Sequence, residues 1–316
     1  VPAGLRRHAA VASALLCVAL AAAGCGFGAG PGVGEVTLTV TRDFGAERLA
    51  GSASEAAVES DTVMRVLDRN AEIATRYGGA FVQSIDGLEG TRRDGRPYDW
   101  FFYVNGLWSP VGAVDYPLRG GDSIWWDYRD WSASERVSAL VGAWPQPFAS
   151  GYEGSDHPTA LECRGGGTAC GLVRRRLRRA GATLVAAGSS DAIRVLVGPW
   201  RRLRSDSAAA TVESGPAASG VYADFAQRGD GFELIALDEG GDPARDLGPD
   251  IGLVAATRRY GAPPVWLVTG TTASAASAAA RRLDATDLRD HFAVAVVDDQ
   301  AIPLPIPRNR MPGAVE

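Results

Sequence analysis

The chain has 316 residues, 46% hydrophobic and 22% charged, the composition of a globular protein long enough to bury two separate cores. Its formal net charge is −5, and arginine supplies every strongly basic side chain. That acidic balance argues against nucleic acid as a partner, since a phosphate backbone calls for a basic footprint.

Arg6-Arg7 precede an apolar run, Ala9–Ala23, which then meets Gly24-Cys25. A charged start, an apolar run too short to span a bilayer comfortably and small residues at its end read as a secretory signal over residues 1–24. Leu20-Ala21-Ala22-Ala23-Gly24-Cys25 resembles a bacterial lipoprotein cleavage box, which implies a lipid on Cys25; plain secretion after Ala23 is the alternative. Losing residues 1–24 removes two arginines and moves the net charge from −5 to −7. Residues 25–34 then read as anchor and glycine-rich tether.

A first domain is expected over residues 35–132. Val36, Leu38 and Val40 alternate with Thr37, Thr39 and Thr41 as a half-buried strand. Ser60-Asp61-Thr62 is a capping cluster, and Val63, Val66, Leu67 and Ala71 follow at helical spacing. Ala80–Ile85 reads as a strand and Glu89–Pro97 as a polar loop. A sheet with one packed helix is the pattern of an α+β domain.

Five of the eight tryptophans fall within Tyr98–Trp131. Asn105-Gly106 sits between two aromatic runs and predicts a two-residue type I′ hairpin pairing Val104 with Leu107 and Tyr103 with Trp108. Alternation puts Trp100, Phe102, Val104 and Leu107 on one face and Phe101, Tyr103 and Trp108 on the other. After the turn residues Gly120-Gly121-Asp122, a strand at Ser123–Tyr128 splits likewise, with Ile124, Trp126 and Tyr128 opposite Trp125, Asp127 and Arg129. Trp100, Phe102, Val104, Ile124 and Trp126 are the natural core face. The mixed face of Phe101, Tyr103, Trp108 and Trp125 is left as a ligand platform, an interface with the second half, or ordinary surface.

Phe81-Val82-Gln83-Ser84-Ile85-Asp86-Gly87-Leu88, Tyr98, Trp100, Gly112, Tyr116, Gly121-Asp122, Ile124 and Trp126-Asp127-Tyr128 together resemble the C-terminal domain of transcobalamin and intrinsic factor, over about residues 35–131. The resemblance implies a β-grasp-like sheet with one packed helix. In those vitamin B12 carriers the domain closes over the corrin ring, so it also implies a small-molecule platform for cobalamin or another aromatic or corrin-like ligand. Stacking would fall to Phe101, Tyr103, Trp108 and Trp125, with Tyr116 on the adjoining loop. No stretch of this chain reads as the helical barrel that completes the site in those carriers.

A second, α/β-type domain is expected over residues 136–306, beyond a boundary near Ser132–Arg136. Trp144-Pro145-Gln146-Pro147-Phe148 reads as a rigid bend. Strands are expected around Leu161 and at Thr183–Ala187, Ile193–Val197, Phe232–Leu237, Val265–Thr269 and Phe292–Val297. Helices are expected at Thr168–Ala180, Arg201–Val212 and Ser274–Leu283, the last capped by Thr271 or Thr272. Leu172–Trp200 resembles one half of the peptidoglycan-binding SPOR domain. The tail over residues 307–316 reads as disordered.

Cys163 and Cys170 remain once Cys17 leaves with the signal and Cys25 takes the lipid. A bridge between them stabilises by roughly 2.5 kcal/mol on the chain-entropy model, and neither zinc spacing nor a redox C-x-x-C competes with it. Gly165-Gly166-Gly167-Thr168 before a helix lacks the Gly-Lys-Ser/Thr of a phosphate loop. Arg174, Arg175 and Arg178, with Arg201 and Arg202, offer a basic patch for lipid headgroups or wall polymers, against the commoner reading of a solvated helix face. His157 and His291 belong to no HExxH, and G-x-S-x-G does not occur. The expectation is therefore a non-enzymatic lipoprotein on the extracytoplasmic face of the membrane, carrying a small-ligand-binding or docking module, with no metal and no cofactor. A cell-wall or protein-interaction lipoprotein working through the second domain is the alternative; the wall or an uptake transporter is the larger partner.

Overall fold

A computed structural model describes residues 29–165 and 167–308. The expected signal segment, Cys25 and residues 309–316 of the expected tail lie outside the described residues.

The first domain runs β1 (Gly32–Arg42), β2 (Glu47–Val58), α1 (Val63–Asn70), β3 (Ile73–Arg76), β4 (Phe81–Ile85), β5 (Leu88–Glu89), β6 (Thr91–Arg93), β7 (Arg96–Val104), β8 (Leu107–Trp108) and β9 (Ser123–Asp130). Its main sheet has the order β2-β1-β9-β7-β6, with β8 on β7. The first and last long strands, β1 and β9, lie parallel at the centre, and the other pairs are antiparallel. One helix packs on one face, so the fold is α+β with a β-grasp strand order.

Local chemistry explains most of these elements. Thr62 Oγ1 accepts from Arg65 N at 3.3 Å and caps α1, whose Val63, Met64, Val66 and Leu67 are buried. They pack on Val36, Leu38 and Val40, and on the Trp100, Val104, Ile124 and Trp126 side of β7 and β9. Asn105 and Gly106 both have positive φ, 54° and 76°, and Tyr103 pairs with Trp108 across them. The expected polar loop at Glu89–Pro97 is instead a second hairpin, turned by Asp94-Gly95 with φ of 50° and 78°. Strand β1 begins at Gly32, inside the expected tether, because Gly32 pairs with Val58 of β2.

Beyond residue 158 the chain forms β10 (Thr159–Cys163), α2 (Gly167–Arg179), β11 (Leu184–Val185), β12 (Ile193–Pro199), α3 (Trp200–Leu203), α4 (Pro216–Ser219), β13 (Ala223–Arg228), β14 (Gly231–Leu237), β15 (Pro243–Gly248), β16 (Gly252–Thr257), β17 (Val265–Gly270), α5 (Ala273–Arg281), α6 (Ala285–Leu288), β18 (Ala293–Val297) and β19 (Gln300–Leu304). A seven-stranded mixed sheet has the order β11-β10-β12-β17-β16-β18-β19, parallel from β11 to β17 and antiparallel beyond. Thr272 caps α5 by accepting from Ala275 N at 3.0 Å. The expected helix over Arg201–Val212 breaks instead into α3 and a 3₁₀ turn, Ala209–Ser214. Asp206 causes the break: its carboxylate accepts from Ala208 N and Ala209 N and starts a new turn.

The sheet has two buried faces. Helices α2 and α5 cover one, against Val195, Val254, Trp266 and Val268. The three-stranded sheet β13-β14-β15 and the aromatic face of the first domain cover the other, against Leu196, Leu253, Leu267 and Ala295. The two domains thus share one core. At the last described residue, Arg308 bonds the carboxylates of Asp238 and Asp242, so the second residue of the expected disordered tail is anchored.

Candidate functional site

Of the five expected ligand-binding rings, three are closed off. Tyr103 is 0% exposed and Trp125 3% exposed, both edge-on to Phe292 with centroids 5.7 and 5.5 Å away. Trp125 Nε1 donates to Thr41 Oγ1 at 2.7 Å. Tyr116 is buried in the first-domain core, where desolvation pushes its pKa up. These rings offer no face to a ligand in this arrangement, which corrects the expectation of a five-residue platform. For Tyr103 and Trp125 the physical reason is the second domain, which brings Phe292 onto the same face, where Phe44 of the β1–β2 turn packs edge to face with it and with Tyr222.

Phe101 and Trp108 are half-buried and lead to a different place. The fully buried Arg129 lays its guanidinium 3.9 Å from the Phe101 centroid. Its Nη1 donates to Ser134 O at 2.8 Å and its Nη2 to Glu135 O at 3.0 Å. Arg129 therefore fixes the segment that joins the two domains. One residue further on, Arg136 rests its guanidinium 4.5 Å from the Trp108 centroid.

Trp108, Ser134 and Arg136 line one side of a cleft of about 760 Å³ between the domains, and Arg258, Arg259 and Tyr260 line another. Arg258 is committed: it bonds Glu153 at 2.7 Å and Ala262 O at 2.7 Å. Arg259 donates to Ser207 O at 2.6 Å. Arg136 makes no ion pair among the described residues, and Ser134 Oγ is buried with no hydrogen-bond partner. Tyr260 stands 84% exposed at the rim. Pro110, Ala217 and Ala218 add apolar surface.

A second, smaller cavity of about 420 Å³ gathers Arg164, Arg201 and Arg202 beside Gly165 and Ser205. Arg164 pairs with Glu162 and Asp206, and Arg201 donates to Asp230 O. The remaining expected cations, Arg174, Arg175 and Arg178, are exposed on α2 and do not line it. A disulfide joins Cys163 to Cys170 next to this cavity. His157 stacks on Tyr152 with centroids 3.8 Å apart, and His291 is half-buried, with desolvation lowering its pKa. Among the described residues no cluster of three or more His, Cys, Asp or Glu is placed to hold a metal.

Sequence patterning did not single out Ser134, Arg136 or the Arg258–Gly261 loop. Arg136 was visible only as part of a domain boundary. Arg258-Arg259-Tyr260-Gly261 carries a turn-like composition, but its place beside Trp108 depends on the shared core.

Fold and cleft together define an α+β protein whose N-terminal part is a β-grasp-ordered sheet with one packed helix. A family model described as a domain of unknown function, DUF4430, matches residues 60–130. Among solved structures, the chain is similar to haptocorrin crystallised in complex with Cbi, at 16% identity and a TM-score of 0.26, over 31% of this chain and 25% of that one. It is also similar to a candidate metal binding protein from Ruminococcus gnavus ATCC 29149, at 15% identity and a TM-score of 0.24, over 31% of this chain and 97% of that one. The chain thus spans about a quarter of the haptocorrin chain. No curated protein matches it.

Proposed function

We propose that the protein is a non-catalytic binding protein, held on the extracytoplasmic face of the membrane by a lipid on Cys25, whose small-molecule ligand sits in the interdomain cleft at Trp108. The observation that carries this reading is the cleft, about 760 Å³ of space bordered by a half-buried indole, an exposed tyrosine and several arginines. Its volume lies in the range of small-molecule sites, and its mixture of aromatic surface with a few polar groups suits them. The resemblance to the vitamin B12 carriers supports a flat, ring-bearing ligand of the cobalamin or aromatic class. With Tyr103 and Trp125 covered, the Trp108 end of the hairpin is where such a ring meets the module.

Calorimetric titration of cobalamin, other corrin-type compounds and simple aromatic compounds tests the reading, with Trp108→Ala and Tyr260→Ala as partners to wild type. Saturable binding that both substitutions weaken supports it. If no compound binds, or if binding is unchanged in both variants, the cleft is not the site. The anchor is tested separately: Cys25→Ser is expected to release the protein from the membrane fraction.

A second reading rests on the arginine-lined cavity. Arg201 and Arg202 face the same space as Arg164 and suit an anionic wall polymer or an acidic protein surface. Pull-down on purified peptidoglycan at low and high salt, with Arg201→Gln/Arg202→Gln, distinguishes it from the first.

A further inference from the structure

We infer that the cleft at Trp108 is built for a monocarboxylate, whose carboxylate is held by Arg136 and Ser134 and whose apolar body lies along the walls; the inference rests on the cleft being the ligand site. Three independent observations converge on it. The Arg136 guanidinium lies over the Trp108 ring, 4.5 Å from its centroid, with no ion pair among the described residues. A guanidinium lying over an aromatic face keeps its in-plane N–H groups free, and that planar fork matches a carboxylate's two oxygens.

Ser134 is the second observation. It is 4% exposed, it lines the cleft, and its Oγ has no hydrogen-bond partner. Leaving a buried hydroxyl unpaired is unfavourable, so a group that completes it when bound explains why it is tolerated. A carboxylate oxygen accepts from a hydroxyl as readily as from a guanidinium. Arg129 holds the carbonyls of Ser134 and Glu135, so the backbone that carries the hydroxyl and leads into Arg136 is fixed before anything binds.

Charge balance is the third. Arg136, Arg258 and Arg259 line the cleft against Glu135 and Glu153, leaving an excess of one positive charge. Arg258 is neutralised by Glu153. One negative charge therefore balances the site, whereas a phosphate dianion would be left facing Glu135 and Glu153. Pro110, Ala133, Ala217 and Ala218 offer apolar wall to the rest of the ligand.

The test uses the mature full chain and matched pairs of probes: benzoate with benzamide, and 4-phenylbutyrate with 4-phenylbutyramide, alongside inorganic phosphate. Each acid is expected to bind at least tenfold more tightly than its amide, a difference of about 1.4 kcal/mol, and more tightly than phosphate. Arg136→Gln is expected to remove the acid's advantage while leaving the amide's affinity unchanged. Ser134→Ala is expected to weaken the acid several-fold without lowering the melting temperature, because it deletes an unpaired buried group. Acids and amides binding alike, or an acid advantage that survives Arg136→Gln, overturns the carboxylate inference and leaves the cleft as the site. Binding of the acids that is unaffected by Trp108→Ala overturns the cleft itself. No binding by any acid also overturns the inference, and corrin and aromatic titrations then decide the cleft separately.

Discussion

Phe44 and Phe292 meet edge to face across the domain boundary, their ring centroids 5.1 Å apart and their planes at 68°. Phe44 sits at the tip of the β1–β2 turn in a left-handed conformation, φ 60°. Asp127 holds it there by accepting from Phe44 N at 3.1 Å and Gly45 N at 3.0 Å. The turn of one domain is therefore a plug in the core of the other.

Truncating that plug tests whether the domains fold as one unit. Phe44→Ala removes a buried aromatic from a packed site and is expected to cost about 3–5 kcal/mol. Wild type is expected to unfold in urea through a single transition, with tryptophan fluorescence and far-UV circular dichroism superimposed. Two separated transitions in wild type would show that the shared core does not couple the domains.

Asp127 predicts a pH dependence. It is fully buried, and desolvation pushes its pKa up to about 7 despite the donors from Thr41 and Gly45. The folded protein therefore keeps a proton that the unfolded chain releases near the ordinary carboxylate value. Stability from this group is complete below that ordinary value and is lost as pH rises through about 7. His291 works in the opposite sense: burial lowers its pKa, so it adds stability as pH rises toward its ordinary value. A comparison of wild type with Asp127→Asn isolates the carboxyl. The urea midpoint of the variant is expected to gain on wild type from the ordinary carboxylate range up to about pH 7 and to hold its lead above that. A constant gap between the two would mean that Asp127 does not titrate in this range.

How much of this was readable beforehand follows from the range of each interaction. The Asn105-Gly106 turn, its Tyr103–Trp108 pairing and the core face of Trp100, Val104, Ile124 and Trp126 are local or periodic, and all are present as expected. The cover over the other face was not readable, because Phe292 and Tyr222 come from a distant part of the chain. Asp127 and Arg129 alternate with tryptophans along β9 and pass for the polar side of a strand; both are 0% exposed because a second domain lies on that side. Strand β2 escaped notice because Glu47–Val58 lies at the sheet edge and lacks alternating large apolar residues. Ser134 carries no sequence signal at all; only its burial makes it informative.

Close approach of the domains also makes one glycine irreplaceable. A Cβ on Gly45 would lie 1.7 Å from the Asp290 carbonyl oxygen, at φ 82°. Gly87 has a similar φ of 77° but nothing within 4 Å of its Cβ position. Gly87→Ala therefore carries only backbone strain and is expected to cost about 1 kcal/mol. Gly45→Ala must also move the domains apart, and its melting temperature is expected to fall well below that of Gly87→Ala. Equal melting temperatures would show that the turn backs away from Asp290 at little cost.

Arg129 connects the shared core to the cleft. Among the described residues its guanidinium has no carboxylate bonded to it; its acceptors are the carbonyls of Asp130, Ser134 and Glu135, at 3.2, 2.8 and 3.0 Å. Lysine keeps the charge but loses the planar fork, so it cannot serve the last two carbonyls while lying flat on Phe101. Leaving a buried carbonyl unpaired costs about 1–3 kcal/mol, and Arg129→Lys is expected to lose stability on that scale. The more telling readout is local. Amide hydrogen exchange at residues 134–136 is expected to speed up in the variant more than exchange in α2 or β17, and ligand affinity at the cleft is expected to fall with it. Faster exchange spread evenly over both domains would make Arg129 a general core residue rather than the support of the Ser134–Arg136 segment.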